Sequence, residues 1–312
     1  MWRKMSVIFL LFVLTACSSA SNNTSKTEEK VTSNKEVITV ESQFGEVEIP
    51  KAPKRIMAIY LEDYLQALDV TPIMQWYHPA WGIQEHLQLD VPNFDITGSI
   101  EPLVEAQPDV IIVDGWADEK IYESFTKIAP TVRIKDEYLD DPKMVLQQVA
   151  NIVGKADEAE KVIQEYEQRA TTLKQELMPF KDETVAVIRV NVGENDLALF
   201  GTKNRYIGTI YETFGLTPVA LASSMKEYHQ ILSEEYIPQL EADHIIVFPS
   251  NGDWDTKENQ EAFKLLEGPL WAHVPAVQKG QVYQANRTYW QSGAILANGM
   301  KMDDIEKWFL KK

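Results

Sequence analysis

Aromatic and basic side chains stand at the ends of the short apolar runs in this 312-residue chain. Trp76, Tyr77 and Trp81 lie in "QWYHPAWG", Trp116 in "DGWADE", Trp254 in "SNGDWD", and Trp290 in "RTYWQSG" beside Tyr289. Each phrase follows a run that reads as a strand. Any one of these rings also reads as packing, but their repeated place after strand ends favours a cleft lined by rings, which bind through area and edge donors. Basic residues add a second chemistry: Arg189 in "VIRVN", Lys203, Arg205 and Tyr206 in "LFGTKNRYIG", and Arg287 in "ANRTYW". Most lone cations are solvated surface. Arg189 differs because it interrupts an apolar strand, where a charge needs a partner. A carboxylate or a chelator oxygen supplies one, since planar guanidinium suits both.

Bond-making machinery is missing. The chain has no G-x-S-x-G elbow, no G-x-G-x-x-G after a strand, no P-loop, and no cysteine after position 17. Asp140 and Asp141, ahead of Pro142, read as a helix-start cap and not as a catalytic pair. A binding protein is therefore expected, not an enzyme such as a chelate reductase or esterase, and no cofactor is expected. The five histidines show no zinc spacing, which argues against a zinc-binding receptor. His78 and His229 are the candidates for an axial ligand if the cargo is haem.

These residues need elements to hold them. "VITVESQFGEVEI" alternates around a glycine and predicts a hairpin. Runs such as "RIMAIYL", "TPIMQWY", "DVIIV" and "TVRIK" then alternate with amphipathic stretches, a β-α-β rhythm that predicts a mostly parallel sheet under helices. Between Pro142 and Pro179 the apolar residues at 159, 162, 163, 166, 170, 173 and 177 form a helical stripe. One or two helices are expected there, the later one long. Strand-like runs resume with "TVAVIRV", "HIIVF" and "GQVYQA", before a closing helix "KMDDIEKWFLKK". The expected division is a leader at 1–16, a polar tether at 17–36, an α/β lobe at 37–141, a connecting helix at 142–180 and a second α/β lobe at 181–312. In such folds the ligand lies between the lobes, outside the carboxyl ends of the strands.

Charge and the N-terminus narrow the setting. With 30 Lys+Arg against 47 Asp+Glu the net charge is -17, which disfavours nucleic acid as a partner. Arg3 and Lys4, the run "VIFLLFVLTA" and then Cys17 read as a secretory leader, too short to span a bilayer. Leu14-Thr15-Ala16-Cys17 resembles the bacterial lipobox, which implies lipidation of Cys17. The expected location is outside the cytoplasm, tethered to the cell membrane.

One phrase is written twice: "SIEPLVEAQPDVIIV" from Ser99 and "SEEYIPQLEADHIIV" from Ser233 share Ser, Glu, Asp and a closing Ile-Ile-Val. Ser-x-Glu is a helix-start pattern. Its recurrence at equal spacing places Glu101 and Glu235 at equivalent points of two lobes.

With "IPKAPKRIMAI", "LQALDVTPI", "ANIVGKADEAEKVIQEY", "YIGTIYETFGL" and "GPLWAHVPAVQKGQVY", these phrases resemble the iron-siderophore and cobalamin solute-binding proteins of ABC importers over nearly the whole mature chain. Asp69 departs from the glycine that family commonly carries in its Leu-Gly-Val phrase. The resemblance implies two Rossmann-like lobes of the class III solute-binding type, joined by a long helix, with the ligand cleft between them. It implies a ferric siderophore as ligand, the iron held by the chelator, with haem or cobalamin as the alternative cargo. It also implies a monomer whose Glu101 and Glu235 dock on an ABC permease dimer that carries ATPase subunits.

Overall fold

A computed structural model describes residues 36–194 and 196–311. The leader, Cys17 and the tether up to residue 35 lie outside the described residues. Within them, no helix is long and apolar enough to cross a membrane.

Seven strands and three helices build the first half. Strands β1 (Val37–Ser42) and β2 (Gly45–Pro50) pair antiparallel as the expected hairpin, closing at Gly45 with φ +114°. Then follow β3 (Ile56–Ile59), α1 (Glu62–Ala67), β4 (Gln75–Tyr77), β5 (Asn93–Asp95), α2 (Glu101–Ala106), β6 (Val110–Val113), α3 (Glu119–Thr126) and β7 (Thr131–Arg133). Strands β3, β6 and β7 form a parallel sheet in that order, and β4 and β5 form a parallel pair. All residues of β3 and β6 are buried, as expected of strands covered on both faces.

The span 142–180 is not one helix. Pro142 opens α4 (Pro142–Val153), and Asp141 caps it by accepting from the Lys143 N–H at 2.9 Å, the role read for it from sequence. Gly154 then takes φ +73° and ends the helix. The longer α5 (Ala156–Glu176) follows, with Ala159, Tyr166, Ala170 and Leu173 buried, and a 3-10 turn spans Met178–Phe180.

The second half contains β8 (Thr184–Asn191), β9 (Asp196–Phe200), α6 (Gly208–Glu212), β10 (Thr217–Pro218), α7 (Ala220–Ser224), β11 (His229–Ile231), β12 (His244–Pro249), α8 (Lys257–Phe263), α9 (Pro275–Gln278), β13 (Val282–Gln284), α10 (Arg287–Trp290) and α11 (Ile295–Ile305). Its sheet runs β11-β9-β8-β12-β13, with β10 beside β8. The closing helix starts six residues before the expected Lys301 and ends in a π-turn.

The written repeat is a structural repeat. Parallel β3-β6-β7 corresponds to parallel β8-β12-β13, with Ile59 opposite Val113 in one and Ile188 opposite Val247 in the other. The shared aspartate does the same work twice. Asp109 Oδ2 accepts from Arg55 N–H at 3.0 Å and Asp243 Oδ2 from Thr184 N–H at 3.0 Å, each stitching its strand to the neighbour's start. Ile-Ile-Val fills the core in both copies.

A single apolar core joins the halves. It takes Ile56, Val110 and Val132 from the first sheet, Val185, Val187 and Phe248 from the second, and side chains of α4, α5 and α11 between them. This shared core ties the two sheets to one set of helices.

Asp69 occupies a position that favours glycine. It follows α1 with φ +56°, while Val70 N–H donates to Leu65 O and Asp69 N–H to Gln66 O, the paired bonds of a Schellman ending. Asp69→Gly is expected to raise stability by about 0.5 to 1 kcal/mol, since it relieves a left-handed Cβ. Urea unfolding tests this; a loss of stability would show that the aspartate carries a compensating bond.

Candidate functional site

The two halves meet where β3, β6 and the residues flanking α10 end, and four polar contacts cross the seam. Tyr60, directly after β3, holds φ +63°, a conformation costly for a ring-bearing residue and concentrated at functional positions. Its Oη donates to Gln291 O at 3.2 Å, and burial pushes its pKa well above the ordinary tyrosine value. Asp114, directly after β6, accepts two bonds from Arg205, Nη1 to Oδ1 at 3.2 Å and Nη2 to Oδ2 at 2.8 Å. Arg287 Nη2 donates to Trp81 O at 2.7 Å. Asp63 of α1 accepts from Leu296 and Ala297 N–H at 2.9 and 3.0 Å, capping α11 from the other half of the protein.

Three rings rise from the core to solvent at this seam. Trp76 is 7% exposed and meets Tyr60 edge-on at 4.9 Å; His78 stacks on Trp76 at 6.3 Å, and Trp81 on His78 at 3.9 Å. Trp81, 47% exposed, is the outer face of the stack. Tyr77 is half-buried beside it. Trp116 is half-buried, with its indole N–H buried and unpartnered. Buried Arg133 holds that loop by donating to Ala117 O and Gly115 O, both at 2.8 Å.

The basic residues differ in how they are matched. Arg189 Nε donates to Asn191 Oδ1 at 2.7 Å and its guanidinium lies 5.6 Å from the Phe200 ring centre. Asn191 in turn donates to Asp196, so among the described residues Arg189 reaches a carboxylate only through an amide. Burial lowers its pKa from the ordinary arginine value. Arg287 is also depressed by burial, and its Nε is buried without a partner. Arg205 is the matched one. Burial opposes its charge, but Asp114 and the Tyr206 hydroxyl at 3.2 Å more than offset that and hold its pKa above the ordinary value. Lys203 is exposed. Lys203 and Arg205 line a cavity of about 1150 Å³ between the 137–143 segment, α5 and the 202–213 segment; none of the tryptophans lines it.

One expectation needs correction. Trp290 has no exposed surface: its N–H donates to Asp304 Oδ2 at 2.8 Å and its ring stacks on Trp308, so it is a core residue and cannot touch a ligand. Trp254 is half-buried, its N–H donating to Ala285 O at 2.9 Å and its ring edge-on to Phe263. The sequence reading missed Tyr60, Asp63, Asp114 and Lys301. Lys301 is fully buried and donates to Tyr206 O and Ser292 O at 2.5 Å, fixing the loop that carries Arg205, and burial pushes it down to about 7. Tyr60 and Asp114 also directly follow strand ends, the same signal that marks Trp116.

Glu101 and Glu235 are exposed, and neither forms an ion pair among the described residues. Their settings differ: Glu101 opens α2 with its N–H donating to Ser99 Oγ at 3.2 Å, whereas Glu235 lies in a turn before a 3-10 helix, Ile237–Gln239. No cluster of His, Cys, Asp and Glu able to hold a metal occurs among the described residues.

Known proteins are similar to this chain in sequence and in fold. The chain is 29% identical to the probable siderophore-binding lipoprotein YfiY of Bacillus subtilis, over 100% of this chain and 99% of that one. It is 26% identical to the iron(3+)-hydroxamate-binding protein FhuD of the same organism, over 91% and 90%. Among solved structures it resembles the petrobactin-binding protein YclQ of B. subtilis, at TM-score 0.74, 20% identity and coverage of 88% and 98%. Staphylococcus aureus SirA in complex with staphyloferrin B is also similar, at TM-score 0.71, 21% identity and the same coverage. Residues 81–288 match the model of the periplasmic binding protein family, and the chain belongs to that family.

Proposed function

We propose that this protein captures a ferric siderophore outside the cytoplasmic membrane and delivers it to an ABC importer for iron uptake. The observation that carries the reading is the seam itself: a stack of rings ending in exposed Trp81, gripped through its carbonyl by Arg287, with Arg205 reaching across to Asp114. Rings supply apolar area for the organic skirt of a chelate, and guanidinium groups match its anionic oxygens. The names of the relatives, which bind siderophores or iron(3+)-hydroxamate, support the same class. In this reading Trp76, Tyr77, Trp81, Trp116, Arg189, Lys203, Arg205, Tyr206 and Arg287 form the binding region, and the chelator alone holds the iron. Glu101 and Glu235 meet the permease, and a lipid on Cys17 keeps the receptor at the membrane.

Haem fits less well. His78 Nδ1 accepts from Ala80 N–H at 3.1 Å, so the neutral ring carries its proton on Nε2, the atom needed for axial ligation. The test is a tryptophan-fluorescence titration of the full chain in detergent with ferrichrome, ferrioxamine, ferric schizokinen, ferric citrate, ferric enterobactin, haem and cobalamin. Saturable quenching by one ferric class below micromolar concentration, absent with iron-free chelator, is expected. A response to haem or cobalamin alone would replace the ferric cargo.

A further inference from the structure

The cross-seam pair Asp114–Arg205 is held from both sides. Asp114 Oδ1 also accepts from Gly115 N–H, and a Cβ on Gly115 would lie 2.3 Å from Leu139 Cδ1. On the other side the Arg205 backbone is pressed against Gly293, where a Cβ would lie 2.6 Å from Arg205 O. Lys301 holds Tyr206 O, and Asn204 Oδ1 accepts from Tyr206 N–H at 2.8 Å. These contacts hold both backbones, and the guanidinium is the long, rotatable end of the pair. Asp114 is 5% exposed at its side chain and Arg205 26%, so the arginine is the member that ligand can reach. Arg205 lines both the narrow seam beside Tyr60 and the adjoining cavity of about 1150 Å³.

We infer that Asp114 is a specificity-determining residue: it matches the charge of Arg205 in advance and thereby biases the cleft against highly anionic chelates. The inference rests on the ferric-chelate reading. A bidentate, partly buried carboxylate is a strong competitor for guanidinium, so an incoming anion gains little from Arg205 unless it displaces Asp114 and leaves that carboxylate buried and unpaired. Arg189, Arg287 and Lys203 form no such pair among the described residues and are left to meet the ligand, whereas Arg205 adds no unmatched charge to them while Asp114 holds it. Asp114→Asn keeps the size of the side chain and removes the charge. Arg205 then becomes available to the ligand.

The experiment compares wild type, Asp114→Asn and Asp114→Asn with Arg205→Gln, each as the full chain in detergent and each checked for native circular dichroism. Fluorescence titrations use ferrichrome, a neutral complex, ferric schizokinen, a weakly anionic one, and ferric enterobactin, a trianion. Asp114→Asn is expected to shift the affinity ratio toward the trianion by at least about 10-fold, with a steeper salt dependence, and the added Arg205→Gln is expected to return the ratio to the wild-type value. A ratio within about twofold of wild type in Asp114→Asn would overturn the role of Asp114 while leaving the receptor reading standing. Wild type that binds no ferric complex would overturn both.

Discussion

Replacing Glu101 and Glu235 together with alanine is expected to lower iron uptake by at least about 100-fold, while chelate affinity stays within about twofold. The argument comes from the repeat. Of the residues the two phrases share, aspartate stitches strands and Ile-Ile-Val fills the core, so each has a structural reason to recur. The glutamates suit a helix start, but both side chains are exposed and neither forms an ion pair among the described residues, which leaves their carboxylates open to a partner. An exposed carboxylate contributes little to the free protein, so the fold should be unaffected. Buried against a cation at a docked interface, the same group is worth roughly 2 to 5 kcal/mol, and two of them account for loss of productive docking. Uptake of a radioactive ferric chelate by cells carrying the double variant measures this, beside a titration of the purified protein. Normal uptake would remove both residues from the transport step.

Asp63→Ala should destabilise the fold by about 3 kcal/mol or more, the largest stability effect expected of a single change at the seam. Asp63 is 0% exposed, and its two oxygens take the second and third N–H groups of α11, whose own N-cap, Ala294, offers no side chain. Alanine leaves those N–H groups buried without acceptors and removes the carboxylate facing buried Lys301. His86 Nε2, 3.6 Å from Asp63, loses its neighbour as well. Asp63→Asn keeps one acceptor and should lose about half as much. Because α11 follows Gln291 and Ser292, which meet Tyr60 and Lys301, the alanine variant should also loosen the seam and weaken chelate binding. Urea unfolding followed by circular dichroism gives the stability; a loss below about 1 kcal/mol would mean that water or another group replaces the cap.

The residues that the sequence places well are those whose neighbours in the chain decide their fate. Alternation around Gly45 specifies the hairpin, Asp141-Pro142 specifies a helix start, and the stripe from Ala159 to Leu177 specifies the buried side of α5, because turns, caps and helical faces are built within a few residues. The doubled phrase likewise specifies two equivalent buried strands, because each copy carries its own aspartate and apolar run. The site depended on something else. Arg205 meets Asp114 across 91 positions, Asp63 meets Leu296 across 233, and Lys301 reaches Tyr206 across 95. Trp290 and Trp81 both follow apolar runs, yet one is sealed under Trp308 and the other stands on His78 in solvent. Local pattern reports that a side chain is apolar or charged. Which partner removes it from water depends on how the two sheets pack on their shared helices, and that is a property of the tertiary structure alone.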